Sequence, residues 1–201
     1  QTGEELVAYC ARVSNPANQA NHETAPRLLT YLVRNQHWSP FEMAHAVIEI
    51  QTTRDIARQI LRHRSFSFQE FSQRYAEVVA DPVLREPRLQ DTTNRQNSTP
   101  AHDAQLRSWW DDQQAWLAEQ ATKVYQDALN QGIAKEVARA VLPEGLTPSR
   151  LYMAGSVRSW IHYIQLRRSN GTQKEHREIA TMCELALLHV MPSLEEIFNA
   201  P

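Results

Sequence analysis

Lysine is almost missing from this chain of 201 residues: only Lys123, Lys135 and Lys174 stand against eighteen arginines. Glycine is scarce as well, at five positions (Gly3, Gly132, Gly145, Gly155, Gly171). None of these is spaced for a G-x-G-x-x-G or Walker A loop, so a bound nucleotide must have its phosphates held by side chains. Two cysteines, Cys10 and Cys183, lie far apart among apolar neighbours and read as buried core thiols. They exclude a disulfide framework and a cysteine zinc site, and the cytoplasm is the expected compartment. The eight histidines are scattered with no H-x-x-x-H or H-E-x-x-H pair, so no metal site is expected. No apolar run is long enough to span a bilayer, and mean hydropathy is −0.55, so no membrane association is expected. No charged-then-apolar leader opens the chain. It begins at Gln1 rather than Met, so a truncated N-terminus is expected.

What is present fits one domain over residues 1–201. The chain is 42% hydrophobic with a net charge of −2, and its length allows about 70% of the unfolded surface to be buried. Glu4 to Val13 reads as a helix ended by Asn15-Pro16, and Thr24 to Gln36 as a second, with Leu28, Leu29, Leu32 and Val33 as its apolar stripe. Ala44 to Thr52 alternates and is rich in Val and Ile, which predicts a strand. Thr53 to His63 follows as a helix. Asp81 to Pro100 is polar with three prolines and reads as a long surface excursion. Helices are then expected over 101–131, 135–142, 156–168 and 172–191, with a strand over 149–154. The sum is α+β, mainly helical with a small sheet.

The arginines fall in two places. Residues 54–74 carry five arginines against two acids, net +3; residues 150–177 carry six cations against one acid, net +5. The rest of the chain is therefore near −10, and two cationic patches on an acidic protein point to anionic ligands. Arg62, His63 and Arg64 are expected to end a helix, where cations suit the last carbonyls. Glu70, Ser72 and Arg74 alternate, so on an extended segment they would share one face and suit a phosphorylated small molecule. On the helix from Ser156, the residues Arg158, His162 and Gln165 share one side, while Trp160, Ile164 and Arg167 share another.

Arg62-His63-Arg64, followed after seven residues by Ser72, resembles the signature of flavin-dependent thymidylate synthases. His37-Trp38-Ser39-Pro40-Phe41-Glu42 is similar to that family's upstream histidine segment, and Glu70-Phe71-Ser72-Gln73-Arg74-Tyr75 to its Glu-Leu-Ser-Gly-Arg-Tyr stretch. Glu136-Val137-Ala138-Arg139 to Pro143 and Tyr152 to Arg167 resemble its two C-terminal motifs. Gln73 replaces the commoner Gly, and Ser156 and His162 stand where many members have Asn.

The resemblance implies a homotetramer with active sites shared between subunits, each combining helices with a small antiparallel sheet. The implied reaction methylates dUMP to dTMP, with methylenetetrahydrofolate supplying carbon and FAD, reduced by NADPH, supplying hydride. By position, Ser39, Arg62, His63, Arg64, Glu70, Ser156, Val157, Arg158 and His162 would contact FAD. Gln59, Ile60, Leu61, Arg62, Glu70, Phe71, Ser72, Gln73, Arg74, Arg139 and Arg167 would contact dUMP. Arg167 matches the arginine that polarises the uracil, and His37 a histidine near the flavin and folate region.

Elementary chemistry agrees: uracil C5 is a poor nucleophile, and a guanidinium beside the ring stabilises negative charge developing on it. The hydroxyl of Ser72 is read as binding substrate, because a serine nucleophile needs an oriented base. The rival reading is a nucleic-acid-binding module that stacks bases on the aromatics of residues 62–75. The acidic remainder and the lack of lysine argue against it.

Overall fold

Thr2 starts the first helix with a reciprocal cap: its hydroxyl accepts from the Glu5 amide, and the Glu5 carboxylate accepts from its own. The computed structural model describes residues 2–79 and 81–199. In chain order the elements are α1 (Gly3–Ala11), α2 (Ala25–Arg34), β1 (His45–Thr53), α3 (Arg54–Ile60), β2 (Ser67–Glu70), β3 (Arg88–Gln90), β4 (Ser98–Pro100), α4 (Ala104–Asn130), α5 (Lys135–Ala138), β5 (Pro148–Ser156), α6 (Val157–Arg167), α7 (Lys174–Val190) and α8 (Glu195–Phe198). Strands β1, β5 and β2 pair in that order, and β3 pairs antiparallel with β4, Leu89 opposite Thr99. The fold is α+β and mainly helical. Among the described residues no helix is long and apolar enough to cross a membrane.

Local chemistry fixes most boundaries. Asp103 accepts the amides of Gln105 and Leu106 to start α4, and Gly132 leaves it at φ 81°, where a Cβ would be strained. The end of α2 is less ordinary. Gln36 adopts φ 58°, and the amides of Gln36 and His37 bond back to Val33 and Leu32. This left-handed closure, usually given to glycine, delivers the His37–Glu42 segment.

Two compact units form. One comprises Gln1–Ile48, His63–Phe68 and Tyr152–Pro201; the other comprises Glu49–Arg62 and Gln69–Leu151. The first buries Leu29, Phe41, Trp160, Ile161 and Tyr163; the second buries Ile56, Ile60, Tyr125 and Leu151.

Three expectations need correction. Helix α3 stops at Ile60, so Arg62, His63 and Arg64 lie beyond it in a turn, where the Arg62 amide still bonds to the Gln59 carbonyl. The chain leaves the helix axis because Phe66 enters the core, its amide bonding back to His63. The extended face expected of Glu70, Ser72 and Arg74 ends at Glu70: the amides of Tyr75 and Ala76 both bond to the Ser72 carbonyl, closing a turn. Cys183 is buried as expected, but Cys10 is only half-buried. The long excursion contains the β3–β4 hairpin, which leaves no sequence signal because three-residue strands carry too little periodicity.

Candidate active site

Ser156 caps α6 by accepting the Ser159 amide, and the eleven-residue helix then carries Arg158, His162, Tyr163 and Arg167. Its two faces divide as the periodicity predicts. Trp160, Ile161, Tyr163 and Ile164 are buried, whereas His162 and Gln165 are exposed.

Two polar groups form on this helix within the first unit. At its start, Arg158 donates to the Glu42 carboxylate at 2.9 Å. Glu42 is held below the usual carboxylate range, first by a hydrogen bond from the Ser156 hydroxyl and then by Arg158, while burial opposes both. The His162 ring lies 4.6 Å from that of Trp38, and desolvation together with the Arg158 charge lowers its proton affinity. Ser39 is exposed in the same short 3-10 turn as Glu42, and His37 meets Tyr31 edge-on at 6.2 Å. Val157 is buried, its amide donating to Ala44 at 2.8 Å.

At the other end of α6, the Arg167 Nε–H donates to Nε2 of His63 at 2.9 Å. A guanidinium has no acceptor, so Nε2 must be the lone-pair nitrogen and His63 must be neutral. Burial, then the Arg167 charge, holds His63 down to about 4. Arg62 and Arg64 flank it on an exposed turn.

The second unit gathers the other predicted positions. The Glu70 carboxylate accepts from Ser149 at 2.7 Å and from Arg54 at 3.5 Å, so it is fixed while partly exposed. The Phe71 amide donates to the Arg150 carbonyl. Ser72 Oγ accepts the Arg74 amide at 3.4 Å, which leaves its proton available to donate. Gln73 is 3% exposed and its Nε2 has no partner. Arg74 pairs with Glu136 at 3.5 Å, and Arg139 donates to the Glu136 carbonyl at 3.3 Å, so both arginines meet at one residue. Arg74, Tyr75, Lys135 and Glu136 line an open cleft of about 530 Å³. On α3, Gln59 is half-buried and Ile60 is fully buried; Leu61, just past the helix, is half-buried.

The Thy1 family model, described as thymidylate synthase complementing protein, matches residues 1–193. A probable flavin-dependent thymidylate synthase of Paramecium bursaria Chlorella virus 1 is 51% identical over 198 residues, covering 98% of this chain and 91% of its own. The flavin-dependent thymidylate synthase of a Synechocystis strain is 50% identical, covering 95% and 87%. The chain belongs to the flavin-dependent thymidylate synthase family. A solved UMP/dUMP methylase, PolB from Streptomyces cacaoi bound with 5-Br UMP, superposes with a TM-score of 0.85 at 29% identity, covering 98% of this chain and 89% of its own.

In this member of the flavin-dependent thymidylate synthase family, several residues around the site have no role that the motifs assign. Glu42 closes the His37–Glu42 segment, where an acid among hydrogen-bonding side chains signals an arginine partner. Tyr163 precedes Arg167 by one helical turn, a spacing that places both on one side. His176, Ser149 and Arg54 gave no local signal, because only the tertiary fold brings them to His63 and Glu70. The stacking surface required by the nucleic-acid alternative is also reduced. Phe66 is buried against Trp160 and Tyr163, while Tyr75 is 77% exposed.

Proposed function

We propose that this chain methylates dUMP reductively to dTMP, with methylenetetrahydrofolate as carbon donor and FAD, recharged by NADPH, as hydride source. The carrying observation is the Arg167–His63 hydrogen bond, which fixes a guanidinium through Nε and leaves its terminal nitrogens free to meet a ligand. In the balanced reaction, C5 of the uracil loses a proton and gains a one-carbon unit at the methylene level. A hydride reduces that unit to methyl, and tetrahydrofolate departs.

The donor set fits a flavin dinucleotide without a glycine-rich loop. Arg158 stands at the start of α6, oriented by Glu42; Ser39 and His162 are exposed, and His162 lies against Trp38. Arg62, His63 and Arg64 add two cations and a neutral ring. When bound, the flavin supplies the hydride. Arg167 stabilises charge on the uracil, and the neutral His63 holds Arg167 in place. Glu70, braced by Ser149 and Arg54, accepts hydrogen bonds from the nucleotide, while Ser72 and Arg74 donate to it. Arg139 and Arg74 bind the phosphate once Arg74 leaves Glu136. His37 serves the flavin and folate region.

A homotetramer with shared active sites, working in the cytoplasm, is part of the same reading. Its support is apolar surface. On α4, Trp109 and Trp116, seven residues apart on one face, are 55% and 60% exposed. On α7, Met182 and Leu185 are 68% and 63% exposed.

The test is a visible spectrum after FAD is added and the excess removed, followed by anaerobic NADPH with and without dUMP. Retained flavin that bleaches faster with dUMP, and dTMP formed once the folate is added, are expected. A folded chain that retains no flavin and forms no dTMP would overturn the proposal.

A further inference from the structure

The core between α6 and α7 contains a polar pair with no role in the reaction described so far. The Tyr163 hydroxyl lies 3.1 Å from Nε2 of His176. Tyr163 is 2% exposed and His176 is 0% exposed. Two apolar side chains would fill this volume without losing hydration, whereas a buried phenol and imidazole must each be hydrogen-bonded, and here they meet one another. Their surroundings say what the pair does. Tyr163 sits one helical turn before Arg167, on the same side of α6. Its ring stands perpendicular to that of His63, at 89° with centroids 4.8 Å apart. The His176 ring is 6.2 Å from His63, also near perpendicular at 86°. Phe66 and Trp160 close the remaining sides of Tyr163 with edge contacts of 5.8 and 5.9 Å.

We propose that Tyr163 and His176 are positioning residues, whose mutual hydrogen bond sets the ring plane of His63 and through it the direction of the Arg167 guanidinium. The proposal rests on the reading above, in which Arg167 and His63 face the nucleotide and the flavin. The hydrogen bond anchors the far end of the Tyr163 ring. A ring anchored at both ends holds its perpendicular contact with His63 in one orientation, and such T-shaped contact is directional. His63 is then held with Nε2 toward Arg167, so the couple is arranged before any ligand arrives. Burial, joined by the Arg167 charge, keeps His176 neutral, holding it down to about 4. The phenol and imidazole thus stay a neutral hydrogen-bonded pair under the conditions in which the enzyme works.

The test uses the full-length, FAD-reconstituted chain in four forms: wild type, Tyr163→Phe, His176→Leu and His176→Gln. The first two variants remove the hydrogen bond but keep the volume. His176→Gln keeps an acceptor for the phenol. Tyr163→Phe and His176→Leu should lower kcat about 10- to 100-fold with little change in the KM for dUMP, and His176→Gln should recover most of it. The second readout is NMR of isotope-labelled histidine rings. His63 in the wild type should be neutral with its proton on Nδ1, and both damaging variants should give a mixture of tautomers.

A wild-type His63 protonated at Nε2, or ring signals unchanged in Tyr163→Phe, would overturn the proposal. So would a loss of kcat that His176→Gln does not relieve. The NMR readout needs no turnover. A chain that makes no dTMP but shows this signature, and loses it in Tyr163→Phe, would keep the positioning pair and discard the assigned reaction.

Discussion

Arg167 donates its Nε–H to Nε2 of His63 at 2.9 Å, and that bond commits both side chains. His63 cannot carry a second proton while it accepts there, and Arg167 cannot swing without breaking it. A fixed, always-charged fork is what stabilisation of a developing uracil anion requires, since no reorganisation is left for the reaction itself. Arg167→Ala should therefore lose about 10²–10³ in kcat, the usual cost of removing one preorganised donor. Flavin retention, assigned chiefly to Arg158, Ser39 and His162, should survive. The check is dTMP formation by chromatography beside the flavin absorbance of the same sample. Turnover at the wild-type level would remove the role given to Arg167.

Acid stability should follow the buried imidazoles. His63 and His176 are each held down to about 4 against an ordinary value of 6.5, both chiefly by burial. Between those values the unfolded chain binds protons that the folded chain refuses. Folding stability therefore rises with pH across that window, is complete above about 6.5, and is lost as pH falls toward 4. A thermal-unfolding series across the window should show this decline, and His176→Gln should make it shallower by removing one of the two groups. An unchanged slope in that variant would show that His176 does not contribute.

Local signals made the helices legible. The end of α4 could be read at Gly132, whose φ of 81° suits a residue without a Cβ, and α6 could be placed by a serine cap and a two-faced periodicity. Helix α3 is three residues shorter at its end than the sequence pattern predicts, because what stops it is distant. Phe66 belongs in a pocket with Trp160 and Tyr163, and no window around residues 54–63 contains that information. The same limit applied to the site. Motif spacing singled out Arg167, His63 and Glu70 individually, but their partners His176, Ser149 and Arg54 are supplied by other elements. Gln73 had one visible signal, its replacement of a commoner glycine; its burial did not show.

Gln73 should trade stability against binding. Its amide nitrogen is buried without a partner, and a lone buried donor costs about 1–3 kcal/mol. Gln73→Met keeps the volume and removes the donor, so it should raise stability to urea by about 1 kcal/mol. If the nucleotide is the missing partner, the same variant should weaken dUMP binding about tenfold, as loss of one hydrogen bond to a ligand would. Calorimetric titration with dUMP decides it. A stabilised variant with unchanged affinity would place the orphaned donor outside the binding event.

Gly155 explains why the aromatic cluster can sit where it does. A Cβ at this position in β5 would lie 2.5 Å from Cδ1 and 2.6 Å from Cε1 of Phe66, far inside van der Waals contact. Phe66 cannot swing aside, because Trp160 meets its ring edge-on at 4.9 Å and Tyr163 at 5.8 Å. Gly155→Ala should therefore cost about 1–3 kcal/mol, the usual range for overpacking a well-filled core. Pairing it with Phe66→Leu, which trims the ring, should recover part of that loss, so the two effects should not add. The strain has one route toward the site. A displaced Phe66 presses on Tyr163, which is bonded to His176 and stands perpendicular to the His63 ring, so the single variant should also disturb the His63 ring signals. Urea unfolding of the four proteins in the cycle, with histidine-ring NMR of Gly155→Ala, tests both halves. Strictly additive energies would mean that Phe66 yields without cost and that Gly155 is not needed for close packing.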